Sequence, residues 1–445
     1  MVSCLHETTS FLHAQLLTAL RIDEIDLHTQ CLIVSIGSPL DDRDSSSTFW
    51  TPYVPELNPY YRHETHLGLH GVRVEVNGLG IVVPATESDV TIRALDRQKL
   101  VMKLFEAFGM KADASEPGLI GARLIQQMGG IQGCRVFKIA GVRKLIQQYG
   151  PLESFTKSNA LLTIGQVDPL SHMLNFKNYE QLYVEGQPIT PEKAFIYLLK
   201  RGVFRVGLAL HCPSCELEFW IGLDNVKTES KCEYCGQMFN IAPQLKDRDW
   251  RYRRSGLFGR EDHQEGSIPV ALTLLQLDTV ISMKRKVLVT AMNIAPISAN
   301  IECCESDFVV VTQAPRDNRI QIVIGECTTG GPKNEITKDD VRKLTKIADA
   351  FPLNRVEPFI LFSKTNPFTM EEVSICQEAK APNRFRVILL SDRELEPYFV
   401  YERTSQDFNI NRFANSLNDL AEATHHIYFD PKAKQDAHPA SPRSL

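Results

Sequence analysis

The chain has 445 residues, 43% of them hydrophobic and 23% charged, with a net charge of −5. This is the composition of an ordinary soluble globular protein, long enough for two to four domains with proper cores. It lacks the roughly 18–20-residue apolar run of a membrane span and a secretory n-region, and so small a net charge confines any polyanion site to a local patch.

Eleven cysteines, four of them at metal-ligand spacing, point to a reducing cytoplasm rather than a disulfide framework. In chain order, residues 1–60 carry weak patterns: a short helix over Leu12–Leu20, a buried strand over Cys31–Ser38 and an Asp/Ser-rich loop at 41–48. The stretch Gly71–Val83, GVRVEVNGLGIVV, alternates as a hairpin whose turn is expected at Asn77–Gly78. Helical patterns then dominate, over Thr91–Phe108, Pro117–Met128, Val142–Tyr149 and Pro191–Arg201. Between them GCRVFKIAGVRKLI (133–146) reads as a strand entering a helix, with Lys138, Arg143 and Lys144 as basic decoration. The glycines at 129, 130 and 133 are not followed by the Gly-Lys-Ser/Thr of a phosphate loop, which sets nucleotide binding aside. This half reads as a structural or partner-binding region.

Cys212-Pro-Ser-Cys215, sixteen further residues, then Cys232-Glu-Tyr-Cys235-Gly236 is the most specific motif. Each Cys-x-x-Cys turn aims two sulfurs at one centre, and two such turns complete a tetrahedral thiolate site for Zn²⁺. Four sulfurs leave no position open for water, so this zinc is structural. Four unligated thiols, or a redox pair, are the competing reading. Phe219-Trp220-Ile221 has strand character, and Gly236 can supply the tight turn of a small β ribbon. Residues 246–260 follow with six Lys/Arg against two Asp, interleaved with Trp250, Tyr252 and Phe258. Arg251, Arg253 and Arg254 are the candidate phosphate contacts of a nucleic-acid site. The competing reading is an interdomain clamp of Arg–Asp pairs around a packed Trp.

The next elements are a helix over Ile268–Val280, strands Lys284–Asn293, Asp307–Gln313 and Ile320–Glu326, and a helix over Thr337–Phe351. Strand Glu357–Ser363, helix Phe368–Ala379 and strand Phe385–Ser391 complete the series. Asp307 stands at the mouth of one strand and Glu326 near the end of its neighbour. Two carboxylates placed side by side attract a hard divalent cation. Alternatively they are strand-end acids paired with Lys343 or Arg342.

This α-β-β-β-α-β-α-β order, with Asp307 on the second strand and Glu326-Cys327-Thr328 on the third, resembles the PD-(D/E)XK nuclease superfamily over residues 262–400. The resemblance implies an α/β C-terminal domain with the restriction-endonuclease-like α-β-β-β-α-β core. It implies that Asp307 and Glu326 hold Mg²⁺ or Mn²⁺ for phosphodiester hydrolysis, with Glu265 at the helix entrance as a further ligand. It also implies a nucleic-acid partner, foremost DNA, and an endonuclease of the prokaryotic restriction or antiviral-defence kind, many of which work as dimers. The family's lysine orients water and offsets developing charge. Here Thr328 occupies its position, and Lys333 in the GGPK loop or Lys343 on the next helix is the candidate substitute. Failing that, the chain is expected to be a non-cleaving scaffold or nucleic-acid-binding protein, joined to a partner or a second copy through its N-terminal half.

The expected division is therefore a mixed α+β N-terminal region (β-rich over 1–90, mainly helical over 91–203), a β zinc ribbon over 204–245 and a nuclease-like domain over 246–430. Residues 431–445 form a disordered basic tail.

Overall fold

The computed structural model describes residues 72–75, 78–81, 97–166, 183–184, 187–246, 248–259, 264–280, 286–313, 320–329, 335–381, 385–395, 414 and 416–430. The expected elements within residues 1–60, the loop lysine Lys333 and the tail over 431–445 lie outside the described residues, as does the side chain of Glu265. In the hairpin, Glu75 pairs with Gly78, so Gly78 belongs to a strand instead of the turn.

Helix α1 (Arg97–Ala107) leads into strand β1 (Met110–Ala114) and helix α2 (Glu116–Gln127). Ser115 caps α2 by accepting from Gly118 N at 3.1 Å, and Pro117 sits in the first turn, where a missing N–H costs nothing. The strand expected at the start of 133–146 is a 3₁₀ helix instead, Ile131–Lys138, followed directly by the helix Ala140–Gln148. Its apolar residues Cys134, Val136 and Phe137 are all buried by this winding. Lys138 is no surface decoration: it is buried and donates to Gln276 Oε1 at 2.9 Å.

Strands β2 (Phe155–Thr156), β3 (Phe204–His211), β4 (Glu218–Gly222) and β5 (Arg251–Arg254) form one antiparallel sheet in the order β2-β5-β3-β4. The basic stretch is thus a strand of the sheet that carries the cysteine motif. Tyr252 anchors β5 in the core, its ring 4.9 Å from that of Phe195 and 6.0 Å from that of Phe155.

The larger sheet is mixed. It comprises β1, β6 (Lys286–Pro296), β7 (Cys304–Gln313), β8 (Ile320–Thr328), β9 (Val356–Lys364) and β10 (Val387–Leu390), in the order β10-β9-β8-β7-β6-β1. Neighbours from β1 to β8 are antiparallel; β8, β9 and β10 are parallel. Parallel pairs need crossovers, supplied by α4 (Lys338–Ala350) and α5 (Met370–Gln377). Capping boxes start both, Thr337 with Asp340 and Thr369 with Glu372. Helix α3 (Gln264–Val280) precedes β6, so the expected α-β-β-β-α-β-α-β order is present.

Alternate residues of the strands divide between two cores. Val309, Ile322, Ile324 and Phe362 pack with α1, α4 and α5 residues, whereas Phe308, Val323 and Leu361 pack with α2 and α3 residues. Helices cover both faces, which is why the strands read as nearly unbroken apolar runs. The first core runs from Leu124 to Ile427 and β1 pairs with β6, so residues on both sides of the expected boundaries near 203 and 246 pack together.

Candidate functional site

The acids sit where the β7–β8 ladder opens. Its last pair is Phe308 with Gly325, and the next residue on each strand is Asp307 and Glu326. Buried Ser306 ties the strands together, accepting from Gly325 N at 3.0 Å and donating to Phe308 O at 2.9 Å. Asp307 Oδ2 accepts from Cys327 N at 2.7 Å, which fixes that carboxylate beside Glu326. On the opposite face Cys327 is clamped. Ser363 Oγ donates to its Sγ at 3.1 Å, and Thr273 Oγ1 on α3 lies 2.6 Å from Ser363 Oγ.

Burial pushes the Asp307 carboxyl up to about 7; the Cys327 N–H opposes this, and the charges of Glu305 and Asp340 add to it. Glu326 is raised well above the usual carboxylate range, by burial first and then by Asp307, Asp340 and Glu305. Glu305 Oε1 is itself buried and has no hydrogen-bond partner among the described residues. Carboxyl groups therefore crowd here, and burial with mutual repulsion favours the protonated forms of Asp307 and Glu326. The cations proposed from sequence to neutralise the pair are engaged elsewhere. Arg342 bridges Glu302 and Asp339, and Lys343 holds Asp339 at 2.6 Å.

Thr328 lies in strand register with Lys364 of β9, a residue that the sequence reading missed. Parallel register is invisible in local sequence, and Lys364 ends its own apolar run without a motif. Its ammonium is buried and paired with both oxygens of Glu372 at 2.8 Å. Glu305 and Asp340 were missed likewise, because their proximity to the pair depends on the ladder and on where α4 starts.

The four cysteines do converge: Cys212, Cys215, Cys232 and Cys235 place their sulfurs within 4.8 Å of one another. Two of the Sγ–Sγ separations, 3.5 Å for Cys212–Cys235 and 3.7 Å for Cys215–Cys232, approach the tetrahedron edge of about 3.8 Å implied by Zn–S bonds near 2.3 Å. The two turns repeat one geometry. Ser214 N and Tyr234 N each donate to the preceding cysteine sulfur at 3.4 Å. The residue after each second cysteine, Glu216 and Gly236, has positive φ (59° and 76°), a conformation that glycine adopts freely and glutamate does not. This donor set fits a structural zinc ion. Among the described residues it is also the one group of three or more ligand atoms this close; the strand-end acids do not close to that spacing.

The three arginines of the basic stretch separate. Arg254 is buried and donates to Ile146 O at 3.2 Å, so the phosphate contact expected of it is replaced by a clamp between elements. Arg251 and Arg253 alternate with it and lie on the other face of β5, where Arg253 packs on the Trp220 ring at 4.9 Å.

No helix among the described residues is long and apolar enough to cross a membrane. No protein-family model matches the chain, and no curated protein matches it. Among solved structures the chain is similar to Can2 from Sulfobacillus thermosulfidooxidans, determined in complex with cyclic tetra-adenylate (cA4). The identity is 13% and the TM-score 0.28, over 71% of this chain and 61% of that chain. The chain thus spans about three-fifths of that protein's length, and a TM-score of 0.28 carries no argument about function.

Proposed function

We propose that the acid end of the six-stranded sheet is a divalent-metal-dependent phosphodiesterase centre of the PD-(D/E)XK kind, and that the chain is a nuclease, foremost of DNA, in a defence or restriction setting. The observation that carries this reading is the pair Asp307 and Glu326, adjacent at the open end of a ladder, half-buried, and raised in pKa. Carboxylates left in that state attract a hard cation, and oxygen ligands suit Mg²⁺ or Mn²⁺. Such an ion, when bound, polarises a phosphate and lowers the pKa of water. The chain's own part is to hold Asp307 in place through Cys327 N, with both acids half-buried at the sheet end. Glu305 is the further carboxylate on the same strand.

Lys364 is in strand register with Thr328, and Lys343 on α4 is held by Asp339. That Lys364 is locked to Glu372 favours a second reading, a nuclease-fold scaffold that binds without cutting. The test is incubation with plasmid, single-stranded DNA and RNA, with Mg²⁺ or Mn²⁺. Metal-dependent cleavage that falls on the order of a hundredfold or more in both Asp307→Asn and Glu326→Gln supports the nuclease. Wild type, both variants and Thr328→Lys equally inactive on every substrate would favour the scaffold.

A further inference from the structure

The outer face of the four-stranded sheet is built differently from its inner face. The inner face carries Phe155, Tyr252, Phe204, Leu208 and Phe219, all buried. The outer face carries Arg251 and Arg253 on β5, Arg205 and Gly207 on β3, and Trp220 and Gly222 on β4. The two glycines bare the sheet so that the indole lies flat across it. A Cβ on Gly207 would come within 2.3 Å of Trp220 Cζ2, and one on Gly222 within 3.3 Å of Cη2. Arg205 and Arg253 are directly opposed in register, and both guanidinium groups rest on that ring, at 4.7 and 4.9 Å from its centroid.

Like charges directly opposed across two strands destabilise a sheet. Here no carboxylate lies within ion-pair distance of Arg205, Arg251 or Arg253 among the described residues, and the buried Arg253 Nε has no hydrogen-bond partner. Arg205 is exposed, Arg251 and Arg253 half-buried, and the neighbouring Trp250 is 48% exposed. Glu218 shares this face but is paired with His211 and Arg248, and the charge of Glu233 acts on Arg253 without a direct ion pair. Three guanidinium groups without a direct ion pair, two of them preorganised on an aromatic ring, suit an anion that brings several charges at short, regular spacing. Residues two apart on a strand are about 6.6 Å apart, and opposed residues about 5 Å. This footprint addresses neighbouring phosphates of one strand, and the exposed Trp250 beside it can stack on a base only where that base is unpaired.

We infer that this face is a binding track for single-stranded nucleic acid, in which Arg205, Arg251 and Arg253 hold consecutive phosphates and Trp250 offers a stacking surface to a base. The track lies on the four-stranded sheet and the acid pair on the six-stranded one, and the track holds for a chain that cuts nothing.

The experiment measures binding of labelled 20-nucleotide single-stranded DNA and RNA to the full chain by fluorescence anisotropy across a salt series, without added divalent metal. Each phosphate contact contributes about 0.7 to the salt exponent for a single strand, hence about fivefold in affinity at 0.1 M salt. The variant with Arg205, Arg251 and Arg253 all changed to Ala is expected to bind roughly a hundredfold more weakly, with the slope reduced by about 2. Arg205→Lys with Arg251→Lys and Arg253→Lys keeps the slope. Unchanged affinity and slope in the alanine variant, with zinc retained, would overturn the inference. So would competition by poly-glutamate equal to that by the oligonucleotide, or duplex bound as tightly as single strand. Should the triple variant not fold, photocrosslinking of a halogenated oligonucleotide to wild type decides. Crosslinks are expected in the 205–220 and 250–253 segments, and crosslinks confined elsewhere refute the track.

Discussion

Gly118 and Gly121 lie one turn apart on α2, and the structure assigns them opposite responses to the same substitution. A Cβ on Gly118 would stand 2.1 Å from the carbonyl oxygen of Ala291 and 2.9 Å from its nitrogen, so backbone meets backbone with no side chain free to give way. Helix and strand must part by about 1 Å, an overpacking cost of roughly 1–3 kcal/mol. The separation also strains two hydrogen bonds at the same spot, Thr290 Oγ1 to Gly118 O at 2.6 Å and Ser115 N to Ala291 O at 3.2 Å. Each contributes about 1 kcal/mol, so Gly118→Ala is expected to cost about 3 kcal/mol. A Cβ on Gly121 meets Thr290 Cγ2 at 3.4 Å, an ordinary contact. There the better helix propensity of alanine is expected to add up to about 1 kcal/mol. At roughly 1–2 °C per kcal/mol for a chain of this size, the two variants should melt about 3–8 °C apart, Gly118→Ala below wild type and Gly121→Ala at or above it. Thermal melts by circular dichroism, with zinc content checked, read this directly. Equal melting temperatures for the two variants would refute the close packing of α2 on β6.

The remaining predictions concern charge and metal. Cys215→Ser or Cys232→Ser should abolish stoichiometric zinc by elemental analysis and unfold the ribbon, since metal binding energy here is folding energy. Asp307 has a folded pKa of about 7 against an ordinary 3.8, so the folded state holds that proton more tightly. Its stabilising contribution is present below about pH 4 and is lost as pH rises to 7, at about 1.4 kcal/mol per unit as an upper bound. Metal-free wild type should therefore melt lower at pH 8 than at pH 5.5, Asp307→Asn should flatten that difference, and Mg²⁺ should restore stability at pH 8; a pH-independent difference between the two proteins counts against it. Glu372→Gln should destabilise by roughly 3–5 kcal/mol in denaturant titration, because Lys364 is then a buried charge without its carboxylate. A loss below 1 kcal/mol would mean that the pair is solvated in solution.

What was legible in the sequence was local. The Cys-x-x-Cys pairs declare their geometry by spacing, and Phe308–Val311 and Ile320–Ile324 are apolar runs that only doubly covered strands sustain. The acids at the mouth of those runs were legible for the same reason. The illegible parts depend on partners distant in sequence. Met110–Ala114, MKADA, has little strand character of its own and becomes a strand because β6 offers it an edge. Arg254 looks like its neighbours Arg251 and Arg253, and only the alternation of β5 turns it inward. Lys364 acquires a place beside Thr328 through parallel register, which no window of local sequence contains.

The pairing of β1 with β6 joins residues about 180 positions apart, from Met292–Ala114 to Pro296–Met110. At roughly 5–20 residues per second of synthesis, the ribosome delivers β6 some 10–40 s after β1 has emerged. During that interval β1 is an unsatisfied edge on a nascent chain, and such edges recruit strands from neighbouring chains. Lys111 and Asp113 place a charged pair, 2.6 Å apart and solvent-exposed, along this short strand. Short length and charge are the features that discourage mistaken partners, so this first-made edge strand is protected while it waits for β6.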